Sequence, residues 1–309
     1  DIYVMPCGSS VGISLWCNGV LVVGLGNVDD GIRRRCPAHE AGIRTGDAII
    51  AVNGEQVNGV GELSAMVRSA GDSMRLRVRR NGSEFDCTVY PCVKDGEVLL
   101  GAWVRESTAG IGTLTFYTMS SMRFGALGHA VTDPDAGTMI EAKRGELSEA
   151  SIVGVTHGEQ GFPGEVRGTF SAVSKRLGAI DRNTRYGVFG EMYAPLTSAL
   201  YPEGVALAYP DEVETGKATL LTSLEDGVTT EYECEIIKLF EQSTSDGKGM
   251  VVKVTDKRLL EHTRGIVQGM SGSPILQNGK LVGAVTHVFI NDPTKGYGIY
   301  AYWMYDQMR

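Results

Sequence analysis

Near the C-terminus stands Gly265-Ile266-Val267-Gln268-Gly269-Met270-Ser271-Gly272-Ser273-Pro274-Ile275-Leu276-Gln277, a hydroxyl crowded by glycines between two apolar runs. Neither helix nor strand propensity favours Gly-x-Ser-Gly, so the spacing predicts a tight turn that presents Ser271 as a nucleophile. The glycines leave room for a carbonyl to approach. The N–H groups of Gly269 and Ser271 are placed to converge on the oxygen that turns negative during attack. The competing reading of the same residues is a Gly/Ser-rich β-turn without chemistry. Ser273 is the second nucleophile candidate, ranked lower because Pro274 beside it lacks a backbone donor.

A serine nucleophile requires a base and a carboxylate that fixes the base's tautomer. Five histidines are present. His39 lies in an N-terminal loop, His157 in a polar turn and His262 among charges, while His287 follows the serine turn and faces either the cleft or solvent. His129 is the preferred base, because Phe124-Gly125-Ala126-Leu127-Gly128 leads to it as a strand end from which an imidazole reaches a cleft. Asp256, closing the apolar Val251-Val252-Lys253-Val254, is the preferred carboxylate; Asp133 and Asp135 compete through their closeness to His129. A salt bridge from Asp256 to Lys257 or Arg258 also competes, and is disfavoured if the strand continues, since strand neighbours point to opposite faces. With no C-x-x-C or H-E-x-x-H spacing, neither a metal nor another cofactor is expected.

The elements that must hold these residues follow from composition. At 309 residues, 42% apolar and 21% charged, the chain can fill two cores. Its 41 glycines and 10 prolines predict many short strands and turns, hence a mainly β protein. A net charge of −8, with one short basic run at Arg33-Arg34-Arg35, weighs against nucleic acid as a partner. No stretch approaches the ~20 apolar residues of a membrane span. Six cysteines, five of them within the first 92 residues, leave disulfides and buried thiols equally open. Local signals predict a short helix from Pro37, a hairpin at Asn53-Gly54, a helix over 62–68, a strand over 74–80 and a second hairpin at Asn81-Gly82. Residues 94–105 read as a connection and the first strand of a second domain.

Residues 8–92, with Pro37-Ala38-His39-Glu40-Ala41-Gly42-Ile43 and Gly46-Asp47-Ala48-Ile49-Ile50-Ala51-Val52-Asn53-Gly54, resemble a bacterial PDZ domain. The domain is drawn at 1–95. The resemblance implies a peptide bound as an added strand, its carboxylate held by the backbone of a loop at Val11-Gly12-Ile13; a strand bulge at Gly12 is the competing reading. In residues 96–309, the chain order His129, Asp256, Ser271 and the turn Gly269-Met270-Ser271-Gly272-Ser273-Pro274 are similar to chymotrypsin-like proteases. The expected fold is therefore mainly β, a PDZ domain followed by a chymotrypsin-like double β-barrel serine protease domain. One departure is that Asp256 lies only fifteen residues before Ser271, whereas the acid of such proteases lies well before the serine.

Taken whole, Ala109-Gly110-Ile111-Gly112-Thr113-Leu114-Thr115-Phe116, Gly125-Ala126-Leu127-Gly128-His129-Ala130-Val131, Gly187-Val188-Phe189-Gly190, Lys253-Val254-Thr255-Asp256-Lys257-Arg258-Leu259-Leu260 and the Ser271 turn resemble the stage IV sporulation protein B family, signalling serine peptidases of endospore-forming bacteria. That resemblance implies a triad of His129, Asp256 and Ser271. It further implies an N-terminal membrane anchor outside this chain, self-cleavage near the N-terminus and export to the forespore intermembrane space. Cleavage of a membrane-bound regulator would then free an intramembrane metalloprotease that activates a late mother-cell sigma factor, the PDZ domain recognising the protein's own N-terminal part or the target. The rival expectation is a PDZ-bearing adaptor whose second domain is an inactive protease fold used for docking.

Overall fold

Turns set the boundaries of this chain. At Asn53-Gly54 and Asn81-Gly82 both residues are left-handed (φ 50° and 88°, 50° and 78°), the conformation that a two-residue hairpin loop demands. The computed structural model describes residues 2–196, 200–242 and 244–309 and is mainly β, as the sequence predicts. It divides into two compact units.

The first unit comprises Leu15–Thr108 and Thr132–Lys143. It holds the latter part of β1 (Ser10–Leu25), then α1 (Pro37–Glu40), β2 (Ala48–Val52), α2 (Val60–Ser69), β3 (Met74–Arg80), β4 (Ser83–Val89) and the start of β5 (Ala102–Tyr117). β2 lies between β1 and β3, pairing Ile49 with Val20 and Val78, and β3 pairs with β4. In β3, Met74, Leu76 and Val78 are buried while Arg75 and Arg77 are exposed, the period-two pattern of a strand with one face on a core. That core joins Val20, Val22, Ile43, Ile49, Leu63 and Val67. The Gly46-Asp47 pair of the sequence motif acts structurally here: Asp47, almost fully buried, accepts the Arg44 N–H at 2.8 Å and pairs with Arg80 at 2.7 Å.

The second unit comprises Asp1–Ser14, Ala109–Val131 and Arg144–Arg309. Residues 2–14 therefore belong with the second unit and residues 96–108 with the first, a division other than the 95/96 cut drawn from sequence. β1 and β5 each run through both units as single strands. Here β1 and β5 join β6 (Arg123–Ala126), β7 (Ala142–Glu149), β8 (Arg176–Thr184) and β9 (Gly187–Met192). They pair in the order β1–β5–β6–β9–β8–β7 and back to β1. Six further strands are β10 (Gly216–Glu225), β11 (Val228–Leu239), β12 (Met250–Val254), β13 (Pro274–Gln277), β14 (Lys280–Phe289) and β15 (Asp292–Tyr300), with α3 (Lys257–Thr263) and α4 (Ala301–Asp306). Their antiparallel pairing closes as β10–β11–β12–β15–β14–β13–β10. Each ring closes on itself, removing free edges; the second is filled by Leu220, Ile236, Val252, Ile275, Val282 and Val285. These two closed six-stranded rings are the expected double β-barrel. All six cysteines are free thiols.

Candidate active site

His129 follows β6 by way of Leu127 and Gly128, both left-handed (φ 70° and 72°). A Cβ on Gly128 would lie 2.9 Å from Thr286 Cγ2 and 3.1 Å from Ile299 Cγ2. Glycine thus lets the His129 segment settle against β14. The half-buried imidazole places Nδ1 2.9 Å from the Ala130 carbonyl oxygen. An acceptor there assigns the neutral ring's proton to Nδ1 and leaves Nε2 as a lone-pair base. Burial pushes the His129 pKa below the ordinary histidine range, opposed by the Ala130 bond. Two residues on, the Asn183 side chain accepts the Val131 N–H at 2.9 Å and donates to its carbonyl at 2.8 Å, clamping this segment to β8.

The Ser271 turn is pinned by backbone bonds on every side. Thr113 donates its N–H to the Ser271 carbonyl at 3.1 Å and its hydroxyl to Gly269 at 2.7 Å. Gly272 donates to Val285 at 2.7 Å, and Ser273 to Met270 at 2.9 Å. Gly272 (φ 95°) could not be another residue, since a Cβ would sit 2.3 Å from the Thr113 oxygen and 2.6 Å from the Leu127 nitrogen. This backbone-on-backbone approach brings the serine turn against the loop that carries His129. The Ser271 hydroxyl, half-buried, donates to the Thr286 carbonyl at 2.7 Å rather than to the imidazole. Among the described residues, the N–H groups of Gly269 and Ser271 are not donated to any protein acceptor. Two amides on one glycine-lined turn are thus open to an oxyanion.

His287 is the neighbour that sequence left undecided between cleft and solvent. It follows Thr286 on β14, and its ring centroid lies 4.8 Å from that of His129. Loss of hydration about the ring, then the positive charges of His129 and Lys248, push its pKa down to about 4 although the residue is exposed overall.

Asp256 is not brought to the imidazole. It is the N-cap of α3: one carboxylate oxygen accepts the Arg258 N–H at 2.9 Å, the other accepts the Glu233 N–H at 3.1 Å, and the Arg258 guanidinium pairs with it at 2.7 Å. Arg258 foremost, with these amides, holds its pKa down at about 2 against the effect of burial. The strand ends at Val254, as expected, so the salt bridge that a continued strand would disfavour forms through the first turn of a helix. An aspartate directly before Lys257-Arg258-Leu259-Leu260 was the available signal. The rival nucleophile Ser273 is fully buried with its hydroxyl unpartnered.

Val11-Gly12-Ile13, expected as a carboxylate-binding loop, is instead part of β1 within the second unit. Val11 and Ile13 are buried, and a Cβ on Gly12 would lie 2.3 Å from the Phe170 ring. Glycine is needed there for packing an aromatic side chain, not for cradling a carboxylate. Asn183 and His287, which sequence reasoning did not place in the site, carried no local motif.

The family described as SpoIVB peptidase S55 matches residues 96–305, more than half the chain, and a PDZ domain matches residues 28–80. Among solved structures, the active form of the Rv3671c protease from M. tuberculosis is 15% identical, with 65% of this chain and 73% of that chain covered at a TM-score of 0.36. The HtrA-type protease AlgW with decapeptide is 12% identical, with 66% and 53% covered at a TM-score of 0.34.

Proposed function

The chain belongs to the SpoIVB peptidase S55 family, and from that premise we propose that this serine peptidase acts through an acyl-enzyme on Ser271 with His129 as its base. The hydroxyl leaves the Thr286 carbonyl and gives its proton to Nε2 of His129 as Oγ bonds to the scissile carbonyl carbon. The displaced electron pair resides on the carbonyl oxygen, which the Gly269 and Ser271 amides receive. His129 then returns the proton to the leaving amine. Water, deprotonated by the same imidazole, adds to the acyl carbon, and His129 gives that proton to Ser271 Oγ as the Oγ–carbon bond breaks and the acid leaves. The Ala130 carbonyl keeps the Nδ1 proton in place throughout. Asp256 enters as the anchor between β12 and α3 rather than as the group touching His129.

The finer reading that family membership supports is a sporulation signalling peptidase, exported to the forespore intermembrane space. It would cleave itself and a membrane-bound regulator, so that an intramembrane protease activates a late mother-cell sigma factor. What carries the peptidase reading is the pair of open amides on a serine turn seated against the histidine loop. The test is self-processing: wild-type protein carrying its native upstream segment releases that segment, and Ser271→Ala does not, by mass spectrometry of the N-terminus. Equal processing by Ser271→Ala would leave the adaptor reading standing.

A further inference from the structure

Each open amide of the serine turn is one end of a peptide unit, and in a planar trans unit the N–H and the carbonyl point opposite ways. Whatever holds the carbonyl therefore aims the N–H. For the Ser271 amide the turn does this itself, since the Met270 carbonyl accepts the Ser273 N–H at 2.9 Å. For the Gly269 amide it is done by a distant element, the hairpin of Ser151–Thr156 and Glu165–Thr169. Val166 donates its N–H to the Gln268 carbonyl at 2.8 Å, and Gln268 donates its own N–H to the Gly164 carbonyl at 2.7 Å. Glu165 and Gln268 thus form a parallel bridge, and the Gly269 N–H is turned away from the hairpin.

The hairpin is built to reach this turn. It leaves the first ring between β7 and β8, yet Ile152, Val155 and Val166 pack on the core of the second. Its far end is tied down where Gly158 donates to the Thr263 carbonyl and Gly161 to the Ile290 carbonyl, both at 2.9 Å. Val166 is buried, and a Cβ on Gly269 would lie 3.0 Å from its Cβ. Rotating the Gln268–Gly269 unit changes mainly ψ of Gln268 and φ of Gly269, which stands at 95°. Glycine accepts either sign of φ, so nothing in the turn itself bars that rotation. Turned over, the unit would put the Gln268 carbonyl where the oxyanion forms.

We propose that the Val166 N–H is a positioning group for catalysis: the hairpin keeps the oxyanion hole open by holding the Gln268 carbonyl away from it. This rests on the peptidase reading above, with Gly269 as an oxyanion donor. When the hold is lost the donor turns in, and turnover falls while substrate binding persists.

Val166→Pro tests it by deleting the N–H while keeping an apolar side chain. That N–H points to Gln268 rather than to the partner strand, so the pairing within the hairpin is left intact. Val166→Ala keeps the N–H and trims only the packing. With p-nitrophenyl acetate as substrate, Val166→Pro should lower kcat about 10²-fold, the size of one lost oxyanion donor, with KM within threefold. Val166→Ala should lose at least tenfold less. Wild-type kcat in Val166→Pro, or equal losses in both variants, overturns the proposal alone, provided that hydrolysis depends on Ser271. Ser271→Ala that hydrolyses the ester at the wild-type rate takes down the peptidase reading and this one with it. On wild-type protein, a diisopropylphosphoryl adduct at Ser271 fills the hole with a phosphoryl oxygen, which favours the orientation that Val166 holds. Hydrogen exchange of the Val166 amide should then slow at least tenfold. Exchange that is unaltered or faster overturns the proposal independently of how the variants fold.

Discussion

Ser271 and Asp256 sit in the same barrel, each just beyond an apolar segment, yet only one of them keeps its side chain for chemistry. Around Ser271 the anchoring is done by the Thr113 N–H and hydroxyl and by the Val285 carbonyl, so two amides are left to face a substrate and the Ser271 hydroxyl rests on the Thr286 carbonyl. Around Asp256 the anchoring is done by the carboxylate itself, which the Glu233 and Arg258 amides and the Arg258 guanidinium engage. A polar residue is available for catalysis only where something else holds its chain in place.

Changing each side of that comparison should give effects of very different size. Ser271→Ala removes the nucleophile and should lower peptide hydrolysis by about 10⁴- to 10⁶-fold while leaving stability nearly unchanged. A loss under tenfold would show that the turn carries no chemistry. Gly272→Ala leaves the hydroxyl present but forces a Cβ onto the Thr113 and Leu127 backbone. Displacing the turn by a fraction of an ångström to relieve that contact should cost roughly 10²-fold in kcat, and wild-type kcat would mean that the turn does not depend on this approach.

On the other side, Asp256→Ala and Arg258→Gln should both act through the α3 corner. A lost helix cap costs about 1 kcal/mol, roughly 2–4 °C in Tm for a domain of this size. The double variant should lose less than the two singles added, because they share one interaction. Arg258→Gln should bring no gain in Ser271 labelling; a severalfold gain would show that the freed carboxylate goes to His129. The smallest effect is expected at His287. Its folded pKa of about 4 lies below the ordinary value of 6.5, so the unfolded chain binds more protons between these values. Its contribution to stability is then present above about pH 6.5 and lost as pH falls toward about 4. His287→Gln should flatten the Tm-against-pH curve in that window, and an unchanged slope would place the titration elsewhere.

The parts of this molecule that sequence made legible are those specified by neighbouring residues. Asn53-Gly54 and Asn81-Gly82 declare hairpins because few other pairs tolerate positive φ twice. The Ser271 turn reads directly for the same reason, as do the alternating Met74–Arg80 and the helix near 62–68. What did not read was any partner chosen by tertiary pairing. Asp256 was read as closing a strand, whereas the helix it caps is what engages its carboxylate. Val11-Gly12-Ile13 has the residue types of a loop, but the pull of the barrel straightens it. Residues 102–106 look like the first strand of a second domain, and only pairing with β1 and packing of Ala102 and Val104 on the first core place them in the first unit. Asn183 and His287 reach the site from strands whose register no local pattern fixes.

The central claim, that His129 activates Ser271, is tested most directly by mapping a fluorophosphonate adduct by mass spectrometry in wild-type protein and in His129→Gln. The account predicts a single adduct on Ser271 in the wild type and a labelling rate at least 10³-fold lower in the variant. An adduct on another residue, or equal labelling of Ser271 without the imidazole, would contradict it.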